Sequence, residues 1–172
     1  MKFSAGVGGF SPFSFSTQSE ADGGKSILRV KPAFFANALI DGPFGHFVIP
    51  EIGWVYHGGG EDEYNKNTFF LLGDLGYPIS DTLIFRYGYG LFITRISGDG
   101  EAILLNNGGS FSTFYTAGEA VNSYNSTVNL GIEAAIKSNA TFRTQIYLFE
   151  LFNSDAREIS YMLSYSFFFE GV

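Results

Sequence analysis

Few side chains in this sequence are equipped for chemistry near neutral pH. The 172 residues include two histidines, His46 and His57, and no cysteine, which excludes thiolate nucleophiles, thiolate metal sites and disulfide staples together. His57 precedes Gly58-Gly59-Gly60-Glu61-Asp62-Glu63. A histidine there could serve acyl transfer if a serine and an acid stood beside it, but no His-x-Ser pair is present, and an ordinary loop histidine is the simpler reading. Glu61, Asp62 and Glu63 gather the hard oxygen donors that a divalent cation prefers, without the spacing of a calcium loop. With Glu20, Asp22, Asp99, Glu101, Glu119, Asp155 and Glu158 they read as solvated acidic loops. No metal and no cofactor is expected.

A second set of charges interrupts apolar runs at alternate positions: Arg29, Lys31, Glu51, Asp74, Arg86, Glu133, Lys137 and Arg143. The elements that must position them have a period of two. Tyr161 to Phe169 places Tyr161, Leu163, Tyr165, Phe167 and Phe169 on one face and Met162, Ser164, Ser166 and Phe168 on the other, as side chains of a strand do. Val128 to Lys137 and Leu83 to Arg95 alternate in the same way, with charges and glycines on the second face. Shorter or less regular versions run from Phe3, Leu28, Val48, Phe69 and Thr141, which makes eight strands. Most approach the ~9 to 11 residues that a tilted strand needs to cross a bilayer.

The connections sort by length. Asp41 to Gly45, Pro78 to Asp81 and Ser138-Asn139 are short and rich in turn formers. Ser11 to Lys25, His57 to Lys66 and Ser97 to Asn125 are long, and Asn153 to Arg157 falls at the same end. Within the longest, Ile103-Leu104-Leu105, Asn106-Asn107-Gly108-Gly109 and Ser110 to Tyr115 read as a hairpin. It is too short in its first arm to add strands to a barrel. Its apolar residues Ile103, Leu104, Leu105, Phe111, Phe114 and Tyr115 could cap the barrel or touch a protein partner.

Composition fixes which face is outside. Aromatics make up 18% of the chain and charged residues only 16%, where a soluble domain is about 25% charged. The apolar face is too large, and the other too small and polar, for a soluble barrel with its apolar side inward. Inverting the barrel puts the Leu, Phe, Tyr and Ile face toward lipid and the eight charges in the lumen. That lumen would be a packed polar core and not a pore. Charges buried there must pair: Asp74 with Arg86 opposite it across the Pro78 to Asp81 turn, Glu133 with Arg143 on the diagonal, and Glu51 with Arg29, Lys31 or a partner across the lumen. The net charge of −7 excludes a nucleic-acid binder with a basic footprint. No run reaches the ~18 to 20 apolar residues of a membrane-spanning helix. The start, Met1 to Gly6, lacks the apolar region of a signal peptide, so the sequence reads as a mature form or a cytoplasmic protein, and as one domain over residues 1–172.

On these residues the chain resembles the small eight-stranded outer-membrane barrels of the OmpA and OmpX type. The resemblance spans essentially the whole chain and is carried by the alternating runs, the order of short and long connections and the Tyr161, Leu163, Tyr165, Phe167, Phe169 stripe. That stripe is similar to the carboxy-terminal assembly signal of such barrels, although here Glu170-Gly171-Val172 follows. The resemblance implies an all-β, antiparallel, up-and-down transmembrane barrel in the outer membrane of a Gram-negative-type bacterium. It also implies insertion by the barrel-assembly machinery, contact with membrane lipid and lipopolysaccharide, short turns and both termini in the periplasm, and long loops outside. It implies no particular activity. The reading taken forward is a non-enzymatic barrel with a structural or surface-interaction role through its outer loops. The alternatives are a small lipid-modifying enzyme that depends on His57 and a soluble lipocalin-like binder.

Overall fold

Alternating side chains and glycine-rich turn chemistry produce a closed barrel of eight antiparallel strands. The computed structural model describes residues 1–11, 18–19, 25–26, 30–57, 64–98, 100–106, 111–115, 118–152 and 157–169, with backbone alone at 18–19, 25–26, 64, 103–106 and 111–115. The strands are β1 (Lys2–Ser11), β2 (Gln18–Ser19), β3 (Lys25–Ser26), β4 (Lys31–Asp41), β5 (Phe47–Tyr56), β6 (Tyr64–Ser80), β7 (Leu83–Gly98), β8 (Ala102–Asn106), β9 (Phe111–Tyr115), β10 (Val121–Lys137), β11 (Ala140–Phe149) and β12 (Glu158–Phe169). The barrel runs β1-β4-β5-β6-β7-β10-β11-β12, and β12 pairs back onto β1. Two hairpins, β2-β3 and β8-β9, stand apart from it. No helix among the described residues is long and apolar enough to cross a membrane.

Three strands are longer than their alternation suggests. β6, β7 and β10 span 17, 16 and 17 residues because the ladder continues into Tyr64 to Thr68 and Val121 to Thr127, where mixed polar side chains hide the period. Val121 to Asn125 therefore belong to β10 and not to the loop. At the other end, the β6–β7 turn is centred on Asp81-Thr82, with a register shift between Pro78 and Ser80. Asp74 consequently faces Gly88, and Arg86 faces Gly76. A shift between Ala135 and Lys137 likewise sets Glu133 directly opposite Arg143 and not diagonal to it. Such bulges re-aim side chains at barrel rims.

The outward face carries large apolar side chains all around the barrel, including Phe34, Ile52, Phe69, Leu71, Tyr89, Leu130, Ile146, Leu163 and Phe167, all exposed. Inside, the lumen has two layers. Toward the short-turn end lie the buried charges Glu51, Asp74, Arg86, Glu133 and Arg143. Toward the long-loop end lies an apolar cluster that includes Phe10, Phe35, Phe70, Phe92, Tyr147, Phe149 and Met162. A wholly polar lumen was the expectation; half of it is aromatic. In the aromatic layer Phe92 stacks on Phe70 at 5.2 Å and on Phe10 at 5.5 Å.

Candidate functional site

Two arrangements in the lumen could do chemistry or bind. The first is the charged layer. Arg86 donates from Nε and Nη2 to Asp74 Oδ2 at 3.1 and 2.8 Å, from Nη1 to Glu133 Oε2 at 2.8 Å and from Nη2 to Glu51 Oε2 at 3.2 Å. Arg143 crosses the lumen to grip Glu51 with both terminal nitrogens, Nη2 reaching Oε1 at 2.9 Å. Its Nε donates to Ser164 Oγ at 3.2 Å, and its guanidinium carbon stands 4.5 Å from the centre of the Phe35 ring. That contact joins the charged layer to the aromatic one. Neutral side chains complete the layer: Asn37 donates to Glu51 at 3.1 Å, Gln145 donates to Asp74 at 3.2 Å, and Tyr147 donates to Gln145 at 3.3 Å. Forked guanidinium pairs of this kind are what burial of charge demands.

Glycine makes the geometry reachable. A Cβ on Gly88 would run into the Gly73 carbonyl oxygen and Asp74 Oδ1, so the missing side chain is what lets the Asp74 carboxylate lie over its neighbouring strand. Arg86, offset by two positions, then reaches it.

The structure brings together five of the eight charges singled out from the sequence: Asp74 pairs with Arg86 as expected, Glu51 takes a partner across the lumen in Arg143, and the partner of Glu133 differs. Glu133 meets Arg86, not Arg143. Although Glu133 stands directly opposite Arg143, the narrow lumen lets Arg143 reach Glu51 on the far wall instead. Lys31 stays out of the charged layer. It sits at the long-loop end of β4, where Nζ donates to the His57 carbonyl at 2.9 Å. Lys137 is exposed beyond the β10 bulge at the short-turn end. Expecting it in the lumen was an error, because the bulge breaks the alternation that would have turned it inward. Arg29 lies outside the described residues, as do Glu61, Asp62 and Glu63. The hairpin expected around residues 103–115 is present as β8 paired with β9. The side chains of Ile103, Leu104, Leu105, Phe111, Phe114 and Tyr115 lie outside the description.

The second arrangement is a cup at the long-loop end, of about 290 Å³, lined by His57, Thr68, Thr94, Asn125, Ser160 and the aromatic layer beneath, with Lys66, Glu150 and Glu158 also on its wall. His57 Nε2 bonds Thr68 Oγ1 at 2.8 Å, and Thr68 bonds Thr94 Oγ1 at 2.9 Å. Burial, reinforced by the Lys66 and Lys31 cations, pulls the His57 imidazole down to about 4, so it is neutral at physiological pH. Sequence reasoning found His57 but not the cup. Its other walls come from β6, β7, β10, β12 and the end of β11, separated along the chain and without a motif.

No family model matches the sequence, and no curated protein does. Solved structures share its fold. The attachment invasion locus protein Ail of Yersinia pestis is 12% identical, with 98% of this chain and 97% of that one aligned at a TM-score of 0.51. The N-terminal β-barrel domain of OprF from Pseudomonas aeruginosa is 12% identical over 96% of this chain and 97% of that one, at 0.52. The outer membrane protein OprG of the same organism is 14% identical over 99% of this chain and 96% of that one, at 0.54. At these identities the likeness is one of architecture: the chain has the closed, eight-stranded, up-and-down barrel of small outer-membrane proteins.

Proposed function

We propose that the protein is an integral outer-membrane barrel of a Gram-negative-type bacterium, with a structural or surface-interaction role and no pore. The observation that carries the reading is the inverted polarity of the barrel. Its outward face is apolar on every strand while Arg86, Glu51 and Asp74 are fully buried inside, which suits a solvent of lipid and not of water. Aromatic residues mark the two rims of that face. Trp54 lies between Phe34 and Tyr56, at 6.0 and 5.5 Å, toward the loops, while His46 meets Tyr77 at 5.3 Å near the turns. Such belts sit at the two membrane interfaces. The short turns then face the periplasm and the long loops the exterior, where residues 97–125, including the β8-β9 hairpin, are the surface for a protein partner. Lipopolysaccharide and membrane lipid surround the wall, and the barrel-assembly machinery inserts it. The name of the attachment invasion locus protein supports a surface role by analogy of fold alone.

Gel mobility of the detergent-refolded protein, with and without boiling, and fractionation of cells expressing it with an export signal test this reading. A heat-modifiable band in the outer-membrane fraction is expected, and monodisperse protein in plain buffer would overturn it. Protease shaving of intact cells should then cut within residues 99–120, between β7 and β10, and leave the barrel whole.

A further inference from the structure

The cup at the loop end has a closed bottom. Phe149 meets Phe92 edge to face at 4.9 Å, and Phe10 covers the other side of Phe92, so the aromatic layer separates the cup from the charges below. A concave, sealed space with an apolar floor is built to hold something small and not to pass it on.

Its wall is chemically specific. Ser160 lines the cup with a hydroxyl that is fully buried and has no hydrogen-bond partner among the described residues, an arrangement that is costly unless a bound group completes it. Across from it runs the bonded series His57, Thr68 and Thr94. At the rim, Glu150 holds a left-handed backbone at φ 46. The Ser126 N–H and hydroxyl clamp its Oε1 at 2.7 and 3.2 Å. With the Glu150 N–H also donating to the Ser126 carbonyl at 3.0 Å, a non-glycine residue kept there by three bonds to a neighbouring strand is strain retained where side-chain placement matters.

Charge decides the class of ligand. With His57 neutral, Lys66 on the wall and Lys31 on the His57 carbonyl stand against Glu150 and Glu158, so the described charges balance and favour neither an anion nor a cation. The hydroxyls and the Asn125 amide both give and accept hydrogen bonds and the carboxylates accept them, while the floor offers ring edges and faces to C–H groups. At ~30 Å³ per water, 290 Å³ is the room of roughly ten waters. We infer that the cup is a binding site for one neutral pyranose or similarly sized polyol, its C–H face on Phe92 and Phe149 and one hydroxyl completing Ser160. The site rests on the fold alone and not on which side of a membrane the loops face.

Saturation-transfer NMR on the full chain in detergent micelles tests it, with methyl α-glucoside, methyl β-galactoside, myo-inositol, choline and inorganic phosphate as probes. At least one of the three polyols should bind saturably through its ring C–H protons, unaffected by choline or phosphate. Ser160→Ala should weaken that binding by about tenfold, the loss of one buried hydrogen bond. Because this variant removes an unpartnered polar group, it should fold as the wild type does, which the heat-modifiable band checks in the same sample. Choline or phosphate binding more tightly than every polyol would overturn the ligand class. Failure of every probe to bind a barrel shown to be folded would overturn the site, and unchanged affinity in Ser160→Ala would overturn its placement. None of these outcomes bears on the outer-membrane reading, which fractionation decides.

Discussion

Replacing Arg86 by Met removes the hub of the charged layer while keeping its length and most of its volume. Asp74 would keep Gln145 and Glu51 would keep Arg143 and Asn37, but each loses a guanidinium partner, and Glu133 loses the 2.8 Å bond to Nη1. Three buried carboxylates are then faced by a single guanidinium. Breaking one buried pair costs about 3 to 5 kcal/mol. The surviving neutral donors put Arg86→Met at the lower end, near 3 kcal/mol, or more than a hundredfold in the folding equilibrium. Urea unfolding in lipid vesicles, followed by the heat-dependent gel shift and by the fluorescence of Trp54, the single tryptophan, gives the number if both probes coincide. The same substitution in an Asp74→Leu background should cost less by more than about 1 kcal/mol, since the two residues share two hydrogen bonds and contacting pairs couple on that scale. Equal losses in the two backgrounds, or a loss below about 0.5 kcal/mol in the first, would refute the claim that Arg86 neutralises this layer.

Four further outcomes are expected. Gly88→Ala should destabilise the barrel by about 1 to 3 kcal/mol in the same unfolding assay, because the added methyl meets the Gly73 and Asp74 backbone, which cannot swing away. Leu71→Arg, at a half-exposed position on the outer face, should cost about 2 to 4 kcal/mol in a bilayer, whereas a water-facing site would accept the charge nearly without loss. The His57 ring should titrate by NMR near 4. Since the unfolded chain then binds the proton more readily, His57 adds stability above its ordinary value of 6.5, and that contribution falls away as pH drops from there toward 4. Lipid A from cells expressing His57→Ala should match lipid A from cells expressing the wild type; a difference would revive the lipid-modifying enzyme.

The sequence by itself determined the strands and their inward and outward faces. Alternation is local, so Tyr161 to Phe169 and Leu83 to Arg95 declare their faces without reference to any partner, and the short and long connections then order them as an up-and-down barrel. It also showed that Glu51, Asp74, Arg86, Glu133 and Arg143 would lie in the lumen, whereas Lys31 sits at the loop end and Lys137 beyond its bulge. Register and reach belonged to the tertiary structure. Whether Asp74 faces Arg86 or Gly88 depends on where the β6–β7 turn closes and on the shift at Pro78 to Ser80, a difference of two positions on β7 that neighbouring side chains do not encode. That Arg143 finds Glu51 depends on the lumen being narrow enough for an arginine to cross. The aromatic layer and the cup above it arise only when Phe10, Phe92 and Phe149, far apart along the chain, are brought to one height by the stagger of a closed sheet. Chain geometry sets that height, and no single strand carries it.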